Sequence, residues 1–176
     1  IGSVCYYPKY TPIPFKEEFL WDGYPEETNA AYGLAKKILL VQAQAYRSEF
    51  GFNAITLMPV NLYGPHDNFD PSSSHVIPSL IRKIFAAKKS NKPAVTVWGT
   101  GNATREFLFV ADAARGIVLA LIHYAKAEPV NLAGSGEVSI RELANLISQK
   151  LDYRGNIVWN TTKPDGQPRR KADGTK

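Results

Sequence analysis

The sequence predicts an α/β fold with a mainly parallel sheet, and three observations support this prediction. Short β-branched runs alternate along the chain with longer segments in which apolar residues recur at helical spacing. Alternating strands and helices build parallel sheets, because a parallel connection needs a crossover helix. The chain has 176 residues, of which 44% are hydrophobic and 21% charged, so it can build a real core.

The first half of the chain predicts two strands separated by a loop and a long helix. Residues 1–7 favour a buried strand, 8–25 a surface loop, 28–50 a helix, 54–60 a second strand and 63–71 a turn. Thr28 or Asn29 can cap the helix, whose apolar residues form one broad face. Gly51 follows as a C-terminal stop.

The second half predicts three more helices and four more strands. The helices are expected at 76–87, 112–124 and 140–151, and the strands at 94–98, 106–110, 129–132 and 156–159. Gly99 to Asn102 lie between the first two of these strands and predict a hairpin. Ser139 and Glu142 have the spacing of a capping box. The chain after Thr161 is rich in Pro, Gly and charge and is expected to be unstructured.

Composition excludes several classes of protein. The formal charge is +5, but the basic residues are scattered, so a solvated surface is favoured over nucleic-acid binding. The single cysteine excludes a disulfide framework and a multi-cysteine zinc site, and no metal site is expected. No run reaches the roughly 20 apolar residues of a membrane span, and no signal peptide is recognised. A reducing, cytoplasmic setting is the expectation.

Tyr32 and Lys36 form the first candidate catalytic pair. They lie four residues apart in the predicted helix and therefore share a face. A lysine ammonium beside a phenol favours the phenolate, so such a tyrosine can act as a general acid or base near neutral pH. The spacing alone is also compatible with Tyr32 packing on the core and Lys36 being solvated.

Four blocks of residues in a fixed order resemble the extended short-chain dehydrogenases, which modify nucleotide sugars. The blocks are Ser3 ahead of Tyr7-Pro8, Tyr32-x-x-x-Lys36, Asn61-Leu62-Tyr63-Gly64-Pro65, and Trp98-Gly99 followed by Arg105-Glu106-Phe107. Within that family, Cys5, the stretch 64–78 and the stretch 163–169 are most similar to the NADPH-dependent 3,5-epimerase and 4-reductase of GDP-4-keto-6-deoxy-D-mannose. The resemblance covers nearly the whole chain.

The resemblance implies five catalytic residues: Ser3, Cys5, Tyr32, Lys36 and His75. Ser3 would hydrogen-bond the sugar C4 oxygen, and Tyr32 would donate a proton there as hydride arrives from the nicotinamide. Lys36 would hold the nicotinamide ribose and tune the tyrosine. Cys5 and His75 would serve as acid and base beside C3 and C5, whose hydrogens are acidified by the C4 ketone.

The resemblance also implies NADPH as cofactor and a GDP-sugar as substrate. The implied cofactor-binding residues are Gly2, Ser3, Tyr32, Lys36, Pro59, Val60, Asn61, Leu62 and His75. The implied substrate-binding residues are Lys83, Trp98, Arg105 and Asp173. Two positions depart from the usual family pattern, since Val60 stands where most members carry Thr and Lys83 where Arg is commoner.

The implied fold is the C-terminal part of an NAD(P)-binding Rossmann-like fold plus a small α/β substrate-binding domain. Residues 1–62 are assigned to the Rossmann-like part and residues 63–176 mainly to the substrate domain, with residues 107–133 returning to the first. The chain lacks the glycine-rich turn that cradles a pyrophosphate, so we expect a fragment that binds NADPH weakly or not at all. The full-length protein is expected to be a homodimer.

Two alternatives to this function stay open at the level of sequence. The first is another nucleotide-sugar 4-epimerase or 4,6-dehydratase, although a dehydratase would carry an Asp-Glu pair where Val4 and Cys5 stand. The second is a non-catalytic remnant that binds a nucleotide sugar. Neither a nucleic acid nor a membrane is expected as a partner.

Overall fold

The computed structural model describes residues 1–176 and contains four α-helices and eight short β-strands. The helices are α1 (Ala30–Phe50), α2 (Val76–Lys89), α3 (Val110–His123) and α4 (Ile140–Lys150). The strands are β1 (Leu57–Pro59), β2 (Asn61–Tyr63), β3 (Ala94–Trp98), β4 (Thr104–Phe109), β5 (Val130–Leu132), β6 (Glu137–Ser139), β7 (Asn156–Asn160) and β8 (Arg169–Arg170). The predicted α/β class is confirmed, since β1 pairs in parallel with β5 and β3 with β7.

The chain forms two compact units, each assembled from separate stretches of sequence. The first unit contains Ile1–Leu62, Glu106–Gly136 and Arg170–Lys176. The second unit contains Tyr63–Arg105 and Glu137–Arg169. None of the helices in either unit combines the length and the apolar character needed to cross a bilayer.

The first unit has its core beneath α1 and around β1. Its buried cluster consists of Val4, Tyr6, Tyr7, Phe15, Leu20, Leu40, Met58, Val60 and Ala172. Met58 lies opposite Asn131 in the parallel pairing of β1 with β5. The helix α1 ends as predicted at Gly51, whose φ of +64° favours glycine and whose N–H bonds the carbonyl of Arg47.

The second unit packs α2 and α4 together and places α2 against β3. The buried side chains of the two helices are Pro78, Leu80, Ile84 and Ala87 from α2 and Leu143, Ala144 and Ile147 from α4. The predicted capping box is confirmed, because the Ser139 side chain accepts from the backbone of Glu142 and the Glu142 side chain accepts from the backbone of Ser139.

The prediction of a strand over residues 1–7 is wrong. Residues Val4–Tyr6 form a 3₁₀ helix, because the Ser3 hydroxyl accepts from the backbone N–H of Cys5 and turns the chain there. Only the residues before this helix run beside a strand, since the Gly2 N–H donates to the Leu57 carbonyl at 2.7 Å. The predicted strand 54–60 is likewise shorter than expected and is limited to β1.

The predicted hairpin between β3 and β4 is also wrong. β3 pairs in parallel with β7, which follows it by about sixty residues, rather than antiparallel with the next strand. Gly99 and Gly101 both have positive φ, and the Gly99 N–H still donates to the carbonyl of Asn160 at the end of β7. The region after Thr161 is not unstructured, because it contains β8, and Arg169 forms an ion pair with Glu137.

Candidate active site

The N-terminal end of α1 lies directly against the 3₁₀ helix that carries Cys5. The contact requires Gly33, because a Cβ at that position would collide with the Cys5 carbonyl oxygen. The glycine therefore lets the backbones of the two helices approach closely. This contact brings residues 3–5 and residues 32–36 to one end of α1.

Ser3 and Cys5 are held by hydrogen bonds of their own backbone and side chains. The Cys5 N–H donates to the Ser3 Oγ at 3.1 Å, and both residues are half-buried. The Cys5 thiol forms no disulfide, and the Arg170 guanidinium lies within hydrogen-bonding distance of it, with 3.8 Å between Nη1 and Sγ. The Ser3 hydroxyl keeps its own proton available for donation, because it acts only as acceptor in the bond to Cys5.

Tyr32 and Lys36 lie one turn apart on α1 and are accessible to solvent. Tyr32 is 51% exposed, and Lys36 Nζ donates to the Ile1 carbonyl at 3.4 Å. Tyr6 lies beneath them, where burial raises the pKa of its phenol to about 12, with a smaller contribution from Tyr32. The structure therefore brings Ser3, Cys5, Tyr32 and Lys36 together within the first unit.

The four residues at the end of β1 and the start of β2 differ in how they are buried. Val60 is buried, and its N–H donates to the Leu132 carbonyl at 3.1 Å. The Asn61 amide donates to the Glu106 carbonyl at 3.0 Å. Pro59 is half-buried at the end of its strand, while Leu62 is 39% exposed. Asn61 is thus oriented by protein contacts, and Leu62 is the most accessible of the four.

Asp173 lies in the first unit, where its carboxylate forms hydrogen bonds within the local turn. The carboxylate accepts from the Thr175 backbone and hydroxyl at 3.0 and 2.7 Å, and these bonds lower the pKa of Asp173. The Asp173 carbonyl accepts from the Asn131 amide at 3.0 Å. The structure therefore assigns the Asp173 carboxylate a local turn-forming contact.

His75 and the remaining substrate-binding candidates belong to the second unit. His75 is exposed and occupies the N-cap position of α2 without a side-chain capping bond. Trp98 is 63% exposed at the end of β3, with Lys83 Nζ 5.3 Å and Lys163 Nζ 5.6 Å from its ring centroid. Burial, and secondly the charge of Arg82, lowers the pKa of Lys83. An exposed aromatic ring with two cations beside it suits a flat, anionic ligand.

A cleft of about 200 Å³ lies beside Trp98 within the second unit. Arg105 and Asp165 line it together with Trp98. The Asp165 carboxylate accepts from the Thr100 backbone and hydroxyl at 2.6 and 2.7 Å, and these bonds lower the pKa of Asp165. The cleft thus combines an aromatic wall, a guanidinium and a loop held in place by a carboxylate.

Two residues at the candidate sites were not identified from the sequence. Lys163 lies over Trp98, and Arg170 lies against Cys5. Both fall in the C-terminal region whose local pattern predicted no structure. The available signal was the density of cationic residues in that region, which includes Arg169-Arg170-Lys171. No group of three or more His, Cys, Asp or Glu side chains is arranged to hold a metal ion.

Comparison with known proteins identifies the family. The chain is 47% identical over its whole length to the probable GDP-L-fucose synthase 1 of Oryza sativa subsp. japonica, and spans 54% of that protein. It is 45% identical over 97% of its length to the GDP-L-fucose synthase of Sinorhizobium fredii, again spanning 54% of the relative. The chain therefore spans about half the length of these curated relatives.

A solved structure shows the same fold. The GDP-L-fucose synthetase of Naegleria fowleri bound to NADP superimposes with a TM-score of 0.91 at 34% identity, covering 98% of this chain and 56% of that one. Residues 1–133 match the NAD dependent epimerase/dehydratase family. From the shared fold and this match, the chain belongs to the NAD dependent epimerase/dehydratase family.

Proposed function

We propose that this chain supplies proton-transfer and substrate-binding residues of an NADPH-dependent enzyme that converts GDP-4-keto-6-deoxy-D-mannose into GDP-L-fucose by 3,5-epimerisation and 4-reduction. The observation that carries the proposal is the grouping of Ser3, Cys5, Tyr32 and Lys36 at one end of α1, which depends on the close approach of Gly33 to Cys5. The names of the relatives support the same reaction.

In the reduction, negative charge develops on the sugar C4 oxygen and must be neutralised. Tyr32 donates its phenolic proton to this oxygen, and its exposure leaves the phenol open to substrate. Ser3 donates a second hydrogen bond, because its oxygen accepts from Cys5 and its proton stays available. Lys36 lies one turn away on the same helix face, so that its positive charge is on the side of the helix from which the proton is donated.

In the epimerisation, a carbon-bound proton is exchanged beside the C4 ketone. The Cys5 sulfur takes the proton from C3 or C5, an S–H bond forms, the C–H bond breaks, and its electron pair moves into the C4 carbonyl as an enolate. An acid then returns a proton to the opposite face of the same carbon, which inverts its configuration. His75 is the residue proposed for that second role.

The residues present fit the nicotinamide end of NADPH. NADPH, when bound, supplies the hydride for C4. Lys36 Nζ makes only a long hydrogen bond to a backbone carbonyl, which a ribose hydroxyl can replace. Tyr32 lies beside it, and the backbone from Pro59 to Leu62 lines the end of β1. The 176 residues include no glycine-rich turn for the pyrophosphate, so weak NADPH binding by this chain alone stays a prediction.

The second unit provides the proposed binding surface for the GDP moiety. Trp98 offers a largely exposed ring on which a base can stack. Lys83, Lys163 and Arg105 surround the ring and the cleft beside it with positive charge, which suits a diphosphate. Asp173, in the first unit, keeps the substrate-binding role implied by the resemblance, and its carboxylate is held in place by the Thr175 backbone and hydroxyl.

Feeding the substrate to the full-length gene product tests the proposal. GDP-4-keto-6-deoxy-D-mannose and NADPH should yield GDP-L-fucose with stoichiometric NADPH oxidation. A reduced product that keeps the configuration at C3 and C5 would contradict the epimerisation. Turnover of other nucleotide sugars alone would favour a 4-epimerase, and binding without turnover would favour a non-catalytic remnant. A dehydratase is disfavoured because Val4, where it needs an acid, is a buried apolar side chain.

We also propose that the full-length protein is a homodimer formed through α1. Leu34, Ile38 and Val41 lie at helical spacing on one face of α1 and are 37%, 57% and 48% exposed. An apolar stripe of this kind is typical of a helix that packs against a partner.

Replacing Ile38 with Asp should convert the protein to monomers in analytical ultracentrifugation, because a carboxylate would be desolvated at the centre of the interface. L146D on α4 is the matched control, since Leu146 is 49% exposed, and it should leave the mass unchanged.

A further inference from the structure

Arg170 is held in a fixed position within the first unit. The segment that follows it is clamped to the Phe15 backbone, since the Phe15 N–H donates to the Lys171 carbonyl at 2.8 Å and the Asp173 N–H donates to the Phe15 carbonyl at 2.9 Å. The Ala172 N–H donates to the Glu106 carboxylate at 2.9 Å. Glu106 is almost completely buried, so this bond lies in a low-dielectric setting. The backbone that carries Arg170 is therefore anchored from two directions.

The guanidinium of Arg170 contacts the Cys5 thiol directly. Its Nη1 lies 3.8 Å from Cys5 Sγ, which is a hydrogen-bonding distance for sulfur. The sulfur itself is held by a backbone that Ser3 and Gly33 keep in place. Arg170 also acts on Glu26, where it contributes to a lowered pKa that is due mainly to the hydrogen bond from Thr28. The charge of the arginine thus acts on a carboxylate as well as on the neighbouring thiol.

We propose that Arg170 is a positioning residue for Cys5, which orients the sulfur and stabilises the negative charge that the sulfur carries before it accepts a proton from the sugar. The role rests on the proposed function, in which that thiolate removes the proton from C3 or C5. A guanidinium suits it, because it stays charged at all working pH values and its N–H groups are directional donors. A neutral thiol is a weaker acceptor than a thiolate, so the contact weakens when the S–H bond forms and Arg170 acts mainly on the resting base.

The neighbouring Arg169 provides a matched control. Its guanidinium forms an ion pair with Glu137 at 2.5 Å, and both residues belong to the second unit. Adjacent residues of an extended segment point to opposite sides, so two arginines next to each other serve different partners. Only Arg170 is expected to affect the thiol.

The first experiment measures the reactivity of the Cys5 thiol and does not depend on enzymatic turnover. Cys5 of the full-length gene product is alkylated with iodoacetamide at pH 7, and the modified peptide is quantified by mass spectrometry. R170M and R170Q should alkylate about tenfold more slowly, since the thiolate loses its cation, while R170K and R169M should stay near the parent rate. Equal or faster alkylation in both neutral variants would overturn the proposal, because a merely shielding arginine would expose the thiol when removed. Circular dichroism verifies that each variant is folded.

The second experiment separates proton exchange from binding. Solvent deuterium incorporation at C3 and C5 of the keto-sugar should fall about tenfold in kcat in R170M, with KM unchanged and R170K restoring most of the rate. A rise in KM without a fall in kcat would show a binding role and contradict the proposal. If the parent protein exchanges no deuterium, the proposed function fails, while the alkylation rates still decide whether Arg170 acts on Cys5.

Discussion

Ser3 and Cys5 in the first unit and Trp98 in the second are held in opposite ways. In the first unit, Ser3 and Cys5 are half-buried and fixed by backbone contacts, including an approach that only glycine at position 33 permits. In the second unit, Trp98 is largely exposed and has only the flexible side chains of Lys83 and Lys163 over its ring.

The difference matches the chemistry proposed for each unit. Proton transfer needs donor and acceptor atoms held within a few tenths of an ångström, which close backbone packing provides. Stacking of a base and neutralisation of a diphosphate tolerate adjustment, because a ring face and long cationic side chains can follow the ligand. We therefore expect substitutions at Ser3, Cys5 and Tyr32 to lower kcat and substitutions at Trp98 to raise KM. His75 is the exception in the second unit, because it is proposed as a proton donor and its loss should also lower kcat.

The largest expected effect comes from Y32F. Removing the phenolic proton donor should lower kcat for C4 reduction about 10²–10⁴-fold, measured as NADPH oxidation by the full-length gene product. Y24F is the control, since Tyr24 is another exposed tyrosine of the same unit, at 62%, and should keep full activity. Similar rates in Y32F and Y24F would remove Tyr32 from the mechanism.

The second effect tests the scaffold of the first unit. G33A should lower the free energy of unfolding by about 2 kcal/mol, because the new methyl group collides with the Cys5 carbonyl and this outweighs the gain in helix propensity. G136A should be neutral or slightly stabilising, since nothing lies within 4 Å of a Cβ built there. Urea denaturation measures both. A stable G33A would show that the contact of α1 with the 3₁₀ helix is adjustable.

The smallest effect tests the second unit. W98A should raise KM for the GDP-sugar about tenfold and leave kcat and stability nearly unchanged, because the lost stacking surface is largely exposed in the folded chain. W21A is the matched control, since Trp21 is 58% exposed and has Lys37 over its ring at 4.4 Å, but belongs to the first unit. A fall in kcat with KM unchanged in W98A would reverse the expected division between the units.

The sequence correctly predicted the elements that depend on residues close to one another in the chain. The helix α1 with its stop at Gly51, the helix α2, and the capping box of α4 all appear where the pattern placed them. Each depends on residues within a few positions of one another, namely helical spacing, a left-handed glycine and a Ser-Glu pair. The family resemblance added the candidate residues, but only the fold shows which of them are neighbours.

Tertiary contacts decided the features whose partners are distant in sequence. β3 pairs with β7 rather than with β4, the next strand in the sequence. Residues 4–6 form a 3₁₀ helix that contacts α1 rather than part of a strand. The same holds for Arg170, which reaches a thiol 165 positions away. A hydrogen bond or packing contact between distant residues produces no periodic pattern in either segment. The sequence by itself therefore determined the local elements. Only the folded chain determined the pairing of strands and the residue that lies beside the cysteine.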